Sequence, residues 1–359
     1  MKPAERGLTQ VPAATIQDVA RHAGVSSTTA KRALREPDKL SQSTLARVQA
    51  AVKALQYEPD QRAGSLRSGQ NLAVGLIVGS LIDPFDAEFA HTTGRILAEA
   101  GYTLIISENE YNTANELTEL QRLYSQRVAG IILRPENGQE SRNYLRHLSS
   151  RGVHLLEFDS VPSGSPYPHV ALDRVGAMRE AVRHLHSLGH RHIVALDTSR
   201  LETPPEACVN GFPQTQTSLT IPSGCQRAPY LTEGAAYHLT RELMAQATPP
   251  TAIIALNGTQ GIGAYRALGE RGCRIPDDVS LITFDNAPWT SLVTPPITVM
   301  QRPVHDLAVA ATRGMLALIN GQTVDNQVFP AQLSLRQSTA QPRQNRGLTC
   351  SRDESCVGT

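Results

Sequence analysis

From residue 71 onward, eight short apolar runs recur between longer helical stretches: LAVGLIVG, YTLIIS, VAGIIL, VHLLEF, HVAL, HIVAL, TAIIAL and VSLITF. Each is rich in Val, Ile or Leu and is bounded by Gly, Asp or Pro, the pattern of a strand buried on both faces. The segments between them, such as 86–99, 115–126 and 176–188, are long enough to be crossover helices, and right-handed crossovers give parallel sheets. Roughly 270 residues of this pattern exceed one comfortable core, so two similar α/β lobes are expected.

Residues 15–57 obey a different rule and contain no strand-like run. SQSTLARVQAAVKALQYEP places Leu45, Val48, Val52 and Leu55 on one helix face, with Ser41 or Ser43 as cap and Pro59 beyond the end. Ahead of it, DVARHAGVSSTTAKRAL breaks at Gly-Val-Ser and is rich in small residues. A helix-turn-helix needs a small residue where its two helices cross and a turn residue that tolerates positive φ; Ala20 and Gly24 fill those roles. Ile16, Val19, Val25, Ala30 and Ala33 then form the shared seam, leaving Ser27, Thr28, Lys31 and Arg32 to face outward. Short polar side chains at a helix N-terminus with Arg behind them suit a major groove.

Charge agrees. Residues 1–70 hold eleven Lys/Arg against six Asp/Glu, whereas the remainder holds 23 against 27, so a basic head precedes a mildly acidic body within a net charge of +1. A basic head points to a polyanionic partner. The polar, Gly/Ser-containing stretch between 59 and 70 reads as a linker, and 339–359, polar and aperiodic, is expected to be disordered. Five scattered cysteines without C-x-x-C indicate neither a disulfide framework nor a zinc site. No signal peptide or bilayer-spanning run is visible, so a cytoplasmic location is expected.

TIQDVARHAGVSSTTAKRAL followed by YEPDQRAGSLRSG resembles the head of the lactose/galactose repressor (LacI/GalR) family of bacterial transcription regulators. The resemblance continues through VGLIVGSLIDPF, AVRHLHSLGHRHI, IPDDVSLITFDN and PPITVMQRP, covering about residues 15–338. It implies an all-α helix-turn-helix head (15–58), a hinge helix or linker (59–70) and a two-lobed, periplasmic-binding-protein-like α/β effector and dimerisation domain (71–338). It also implies a homodimer on double-stranded operator DNA, acting as a repressor, with a sugar-like small-molecule effector. The DNA-contact set expected from this likeness is Thr15, Ile16, Ser26, Ser27, Thr28, Lys31 and Arg32, joined by Arg62, Leu66 and Arg67 of the linker. Leu66 matches the family's minor-groove leucine, an apolar wedge that unstacks a base step while arginines neutralise phosphates. Without a leucine heptad at the C-terminus, no tetramerising coil is expected.

Two-lobed parallel folds bind small molecules where strand carboxyl ends converge. Asp83, Asp159, Asp173, Asn257 and Asp285 stand at such ends, and carboxylates and amides there suit vicinal hydroxyls. The resemblance maps effector contacts to Asp159, Asn257 and Asp285; Asp83 and Phe85, as a wall, complete the expected set, whereas Asp173 reads equally well as a helix cap. Three departures from the family stand out. Ala30-Lys31-Arg32 replaces a common Val-Ser before the Arg, Cys208 in CVNGF stands where relatives carry a ligand-clamping Arg, and Asp86 replaces a second aromatic after Asp-Pro-Phe. The segment after Phe212, with Pro213, is also poor helix material.

Rival chemistries are weaker. Of the four histidines in RHLHSLGHRHI, His184 and His186 lie two apart on a helix and face different ways, so no metal site is expected. GTQGIGAYRA lacks the dinucleotide glycine order and reads as close helix–sheet packing. No nucleophile elbow, phosphate loop or H-E-x-x-H appears, so neither an enzyme nor a cofactor is expected. A sugar-binding receptor without regulated DNA binding is the alternative, but its periplasmic form predicts a signal peptide and no DNA head.

Overall fold

A computed structural model describes residues 14–57, 72–136, 138–162, 164–196, 218–220 and 232–343. The chain divides into two compact units between residues 70 and 71.

In the first unit, α1 (Ile16–Ala23), α2 (Ser27–Arg35) and α3 (Gln42–Ala54) enclose a small core of Val19, Ala23, Ala33, Val48 and Ala51, with Ile16, Val25, Leu45, Val52 and Leu55 half-buried around it. Ala30 is also fully buried, so the seam read from sequence is the one that packs. Gly24 sits at φ 62°, where the Val25 N–H reaches back to the Ala20 carbonyl at 3.0 Å and ends α1. Ser41, not Ser43, caps α3.

The second unit contains two sheets. In chain order the elements of the first lobe are β1 (Ala73–Val78), α4 (Pro84–Glu99), β2 (Thr103–Glu108), α5 (Thr113–Ser125), β3 (Gly130–Leu133), α6 (Gln139–Ser150), β4 (His154–Asp159) and β5 (His169–Leu172). The second lobe takes α7 (Arg174–Ser187), β6 (His192–Leu196), β7 (Ser218–Thr220), α8 (Glu233–Met244), β8 (Ala252–Ala255), α9 (Gly258–Glu270), β9 (Ser280–Phe284), α10 (Trp289–Leu292) and β10 (Thr298–Gln301). The chain then returns as α11 (Val304–Ile319), whose Leu307, Ala308, Ala311 and Met315 join the first lobe's core. Finally β11 (Gln327–Phe329) adds to the first sheet and β12 (Gln332–Ser334) to the second.

The strand orders are β11-β5-β4-β3-β1-β2 and β12-β10-β9-β8-β6-β7, and every pairing is parallel except β10 with β12. All eight apolar runs are strands. Their burial explains it: Leu76, Ile77, Ile131, Ile132, Ile253, Ile254, Leu281 and Ile282 have no exposed surface. Each such side chain contributes about 1.5–3 kcal/mol of transfer free energy. The chain thus crosses between lobes three times, near 172–174, 301–304 and 329–332.

Three helices begin two residues earlier than their apolar periodicity, because a side chain caps each one. Asp83 accepts from Phe85 N at 3.1 Å, Asn112 from Ala114 N at 2.8 Å, and Asp173 from Gly176 N at 2.8 Å. The glycines of GTQGIGAYRA serve two contacts. A Cβ on Gly261 would lie 2.5 Å from Thr283 Oγ1 of β9, the expected helix–sheet contact, and one on Gly263 would lie 2.1 Å from the Glu233 carbonyl of α8.

Two expectations need correction. Residues 339–343, assigned to a disordered tail, are anchored: Ala340 N donates to Ser280 Oγ at 3.1 Å and Arg343 Nη2 to Asp277 Oδ2 at 2.9 Å. Polar composition hid this, because the anchoring groups are hydroxyls and backbone rather than apolar side chains; the rest of that tail, 344–359, lies outside the described residues. Cys273 is buried and disulfide-bonded, although the cysteine spacing had indicated no disulfide framework. Sequence spacing does not report which cysteines the fold brings together.

Candidate functional site

The outer face of the head is built from caps inward. Thr15 and Asp18 form a reciprocal capping box: Thr15 N and Oγ1 donate to Asp18 Oδ2 at 2.9 and 2.6 Å, and Asp18 N donates to Thr15 Oγ1 at 3.3 Å. These bonds hold the Asp18 carboxyl below its ordinary pKa, first through the Thr15 hydroxyl. Ser26 caps α2, accepting from Thr29 N at 3.1 Å. Ile16 turns into the core, half-buried.

That leaves the N-terminal face of α2, where Thr28, Lys31 and Arg32 are exposed and Ser27 is half-buried. Among the described residues no carboxylate pairs with Lys31 or Arg32, so both cations are free to meet an external anion. Arg62, Leu66 and Arg67 lie outside the described residues.

In the body, the strand ends of both lobes converge on a buried charge cluster. Asp159 is the hub. Its Oδ2 accepts from Arg174 Nη2 at 2.7 Å and Arg134 Nε at 3.0 Å, while Arg302 Nη1 stands 3.6 Å from its Oδ1. Arg302 also grips Asp285 through Nε and Nη2 in a two-point fork, and its guanidinium carbon lies 3.6 Å from the centroid of the Phe85 ring. Asp83 accepts from Tyr111 OH at 3.4 Å, and the Arg134 guanidinium lies 5.2 Å from the Tyr111 ring centroid. Asp86, which replaces the family's aromatic, is fully buried; it accepts from Gly79 N and Ser80 N at 3.0 Å each and faces Arg134 Nη1 at 3.7 Å.

The titration behaviour follows. Burial opposes ionisation of Asp159, yet the guanidiniums of Arg174, Arg134 and Arg302 outweigh it and hold the carboxyl well below the usual range. For Asp83, burial and then the Asp285 charge push the pKa up. Asp86 is pushed up to about 6, chiefly by burial, with Arg134 opposing. Arg134 and Arg302 are both raised, because their carboxylate partners overcome the burial that disfavours the charge. Asp159 and Asp285 also sit at φ 64° and 71°, left-handed backbone that costs a non-glycine residue about 1 kcal/mol.

Four of the five effector residues expected from sequence therefore meet: Asp83, Phe85, Asp159 and Asp285. Asn257 is buried at the same end of the second sheet, with its Oδ1 accepting from Gln260 N at 2.7 Å as the cap of α9. Sequence reading missed Arg134, Arg174 and Arg302, which are the first or second residues after β3, β5 and β10. It also missed Tyr111. A small cavity remains, lined by Leu172, Arg174, Met178, Leu256, Phe284 and Arg302. Cys208 and Phe212 lie outside the described residues.

Among the described residues no cluster of His, Cys, Asp or Glu could hold a metal, and no helix is long and apolar enough to cross a membrane. His184 and His190 instead bond Thr339 and the Thr251, Ser280 and Ala340 group.

A helix-turn-helix head followed by a two-lobed parallel α/β body defines a class of ligand-responsive DNA-binding regulator. Family comparisons agree with that class on both counts. Residues 15–60 match the model for bacterial regulatory proteins of the lacI family, and residues 182–339 match the periplasmic binding protein-like domain. The chain is 32% identical to the HTH-type transcriptional regulator reg1 of Streptomyces lividans over 92% of this chain and 98% of that protein. It is 26% identical to the ribose operon repressor of Escherichia coli K12 over 88% and 96%, respectively. Its fold matches a lac repressor dimer bound to operator and the anti-inducer ONPF, with TM-score 0.77, 24% identity, and 91% and 99% of the two chains covered. The chain belongs to the lacI family of bacterial transcription regulators.

Proposed function

We propose that this protein is a cytoplasmic repressor that binds a specific operator in double-stranded DNA as a homodimer, and that a sugar or sugar derivative acting at the cleft of the body modulates that binding. One observation carries the DNA half: the exposed N-terminal face of α2 offers Ser27 and Thr28 for base edges with two unpaired cations, Lys31 and Arg32, behind them. The names of the relatives support the rest, one being a ribose operon repressor and another a repressor dimer bound to operator. Two half-sites one helical turn apart, about 10 base pairs, are the expected geometry. In this reading Leu66 wedges the minor groove at the centre of the operator.

Binding selection from random duplexes followed by gel shift tests the proposal. A palindromic consensus bound at least about a thousandfold more tightly than scrambled DNA supports it. Uniform affinity across sequences overturns it. A melting-temperature panel of pentoses, hexoses, sugar acids and sugar phosphates tests the effector, since a ligand at about a hundred times its dissociation constant adds roughly 2.7 kcal/mol.

A further inference from the structure

Among the described residues, the two carboxylates at the centre of the cleft, Asp159 and Asp285, are already paired with arginine. Asp285, from the end of β9 in the second lobe, is gripped by the Arg302 fork. Asp159, from the end of β4 in the first lobe, faces the same guanidinium from the other side. Phe85, at the start of α4 in the first lobe, supplies an aromatic face 3.6 Å beneath it. Arg302 itself belongs to neither sheet. It lies in the crossing between β10 and α11 and is only 5% exposed.

A planar cation stacked on an aromatic ring and held between carboxylates of two lobes is how a bound ligand would be recognised. We propose that Arg302 is a built-in occupant of the cleft: its guanidinium fills a cation site made by Asp285, Asp159 and Phe85, and holds the two lobes together without a small molecule.

The arrangement has three physical consequences. First, the occupant is tethered two residues before the start of α11, so its effective concentration at the site is in the millimolar range or above, and a free competitor at lower concentration does not displace it. Second, the site selects charge and shape together. An ammonium supplies a point charge, whereas only a guanidinium or amidinium gives the fork to Asp285 and the flat face to Phe85. Third, a neutral sugar cannot satisfy Asp159 and Asp285 in place of the arginine, because it leaves their buried negative charges uncompensated. Solutes able to replace Arg302 are therefore planar cations, and a sugar-like effector binds beside the arginine rather than in its place. Arg174, which reaches Asp159 from the second lobe at 2.7 Å, braces the same closure from a different crossing.

The regulatory meaning rests on the reading given under Proposed function: a body closed by its own arginine holds one dimer geometry, and so one operator affinity, in the absence of ligand.

The test is chemical rescue of the full chain carrying Arg302→Ala, with methylguanidinium as probe, urea as its neutral isostere and sodium chloride at matched ionic strength. Melting temperature and X-ray scattering report closure, and gel shift reports operator binding. The expected result is that Arg302→Ala melts earlier and scatters as a more open body. Millimolar methylguanidinium, but not urea or salt, restores both, and operator affinity that has changed by about tenfold returns with them. Wild-type protein is indifferent to all three solutes. If methylguanidinium does no better than urea or salt, the proposal is overturned; a neutral sugar that restores Arg302→Ala as methylguanidinium does overturns it as well.

Should Arg302→Ala fail to fold in plain buffer, the same comparison is made during refolding. Soluble protein obtained with methylguanidinium alone supports the proposal, and none under any condition overturns it. Wild type that binds no operator while Arg302→Ala is still rescued in melting and scattering refutes the function and leaves the occupant standing.

Discussion

Arg32→Ala isolates the electrostatic part of DNA binding. The side chain is exposed on the outer face of α2, and no carboxylate among the described residues shares its charge. Removing it therefore deletes one unshielded cation per subunit, two in the proposed dimer, without exposing the seam formed by Val19, Ala30 and Ala33. Each phosphate neutralised contributes about 0.9 to the slope of log affinity against log salt, so two lost contacts flatten that slope by about 1.8. At 0.1 M salt the same two contacts amount to roughly a sixtyfold loss, about 2.4 kcal/mol, and the loss shrinks about twelvefold between 50 and 200 mM. Fluorescence anisotropy on the selected operator and on a scrambled duplex, each across that salt range, measures both. The expected loss is the same on the two duplexes. Arg122→Ala serves as control, because Arg122 lies on α5 of the body and is already paired with Glu119 at 2.6 Å. An unchanged slope removes Arg32 from the phosphate contacts, and a loss confined to the specific operator makes it a base reader instead.

The body offers independent checks. Glu157 is buried beside Glu116, its Oε2 has no hydrogen-bond partner, and burial pushes its pKa up to about 7. A raised carboxyl pKa means that the folded state keeps a proton the unfolded chain loses above about pH 4.5, so stability falls as pH rises through 4.5 to 7 and then levels. Glu157→Gln removes that penalty. Its expected gain is near zero at pH 4.5 and about 2–3 kcal/mol at pH 8 by urea denaturation, and an equal gain at both pH values refutes the assignment.

Gly263→Ala drives a Cβ to 2.1 Å from the Glu233 carbonyl, where neither helix backbone can yield, and should cost about 1–3 kcal/mol. Gly269→Ala, on the same helix with nothing within 4 Å, should gain up to about 1 kcal/mol; equal effects on melting temperature would contradict the close α8–α9 contact. Gly24→Ala meets no steric contact but must hold φ 62°, so the expected cost is about 1–2 kcal/mol, read from the melting of the head.

Much of the architecture was legible because burial on both faces leaves an unmistakable trace. A strand such as GIIL or AIIA tolerates no polar residue, and the head's Ala20 and Gly24 are dictated by close approach and positive φ. The short strands β7, β11 and β12 carry no such trace. Gln327, Val328 and Gln332 are exposed, so apolar patterning has nothing to act on. The anchored chain through Arg343 escaped for a related reason: hydroxyl and backbone hydrogen bonds have no periodicity.

The cleft was half legible. Aspartates at strand ends were picked out as ligand contacts because position and chemistry both suit hydroxyls, yet the same positional rule applies to IILR, VALDR and VMQR, where Arg134, Arg174 and Arg302 follow their strands. Charge bookkeeping makes the two sets one. Asp83, Asp86, Asp159 and Asp285 converge where each is at most 6% exposed, and an uncompensated buried carboxylate costs several kcal/mol. A fold that gathers four of them needs cations within reach, and among the described residues the strand-end arginines are the cations close enough to serve. Asp86 looked like a lost aromatic when read alone; read with Arg134, 3.7 Å away, it is half of an ion pair. The same reasoning bears on ligand choice. A cleft whose strand ends carried carboxylates alone would draw its compensation from a bound molecule or from protons, whereas the described residues of this one set three guanidiniums against the four carboxylates before any ligand arrives.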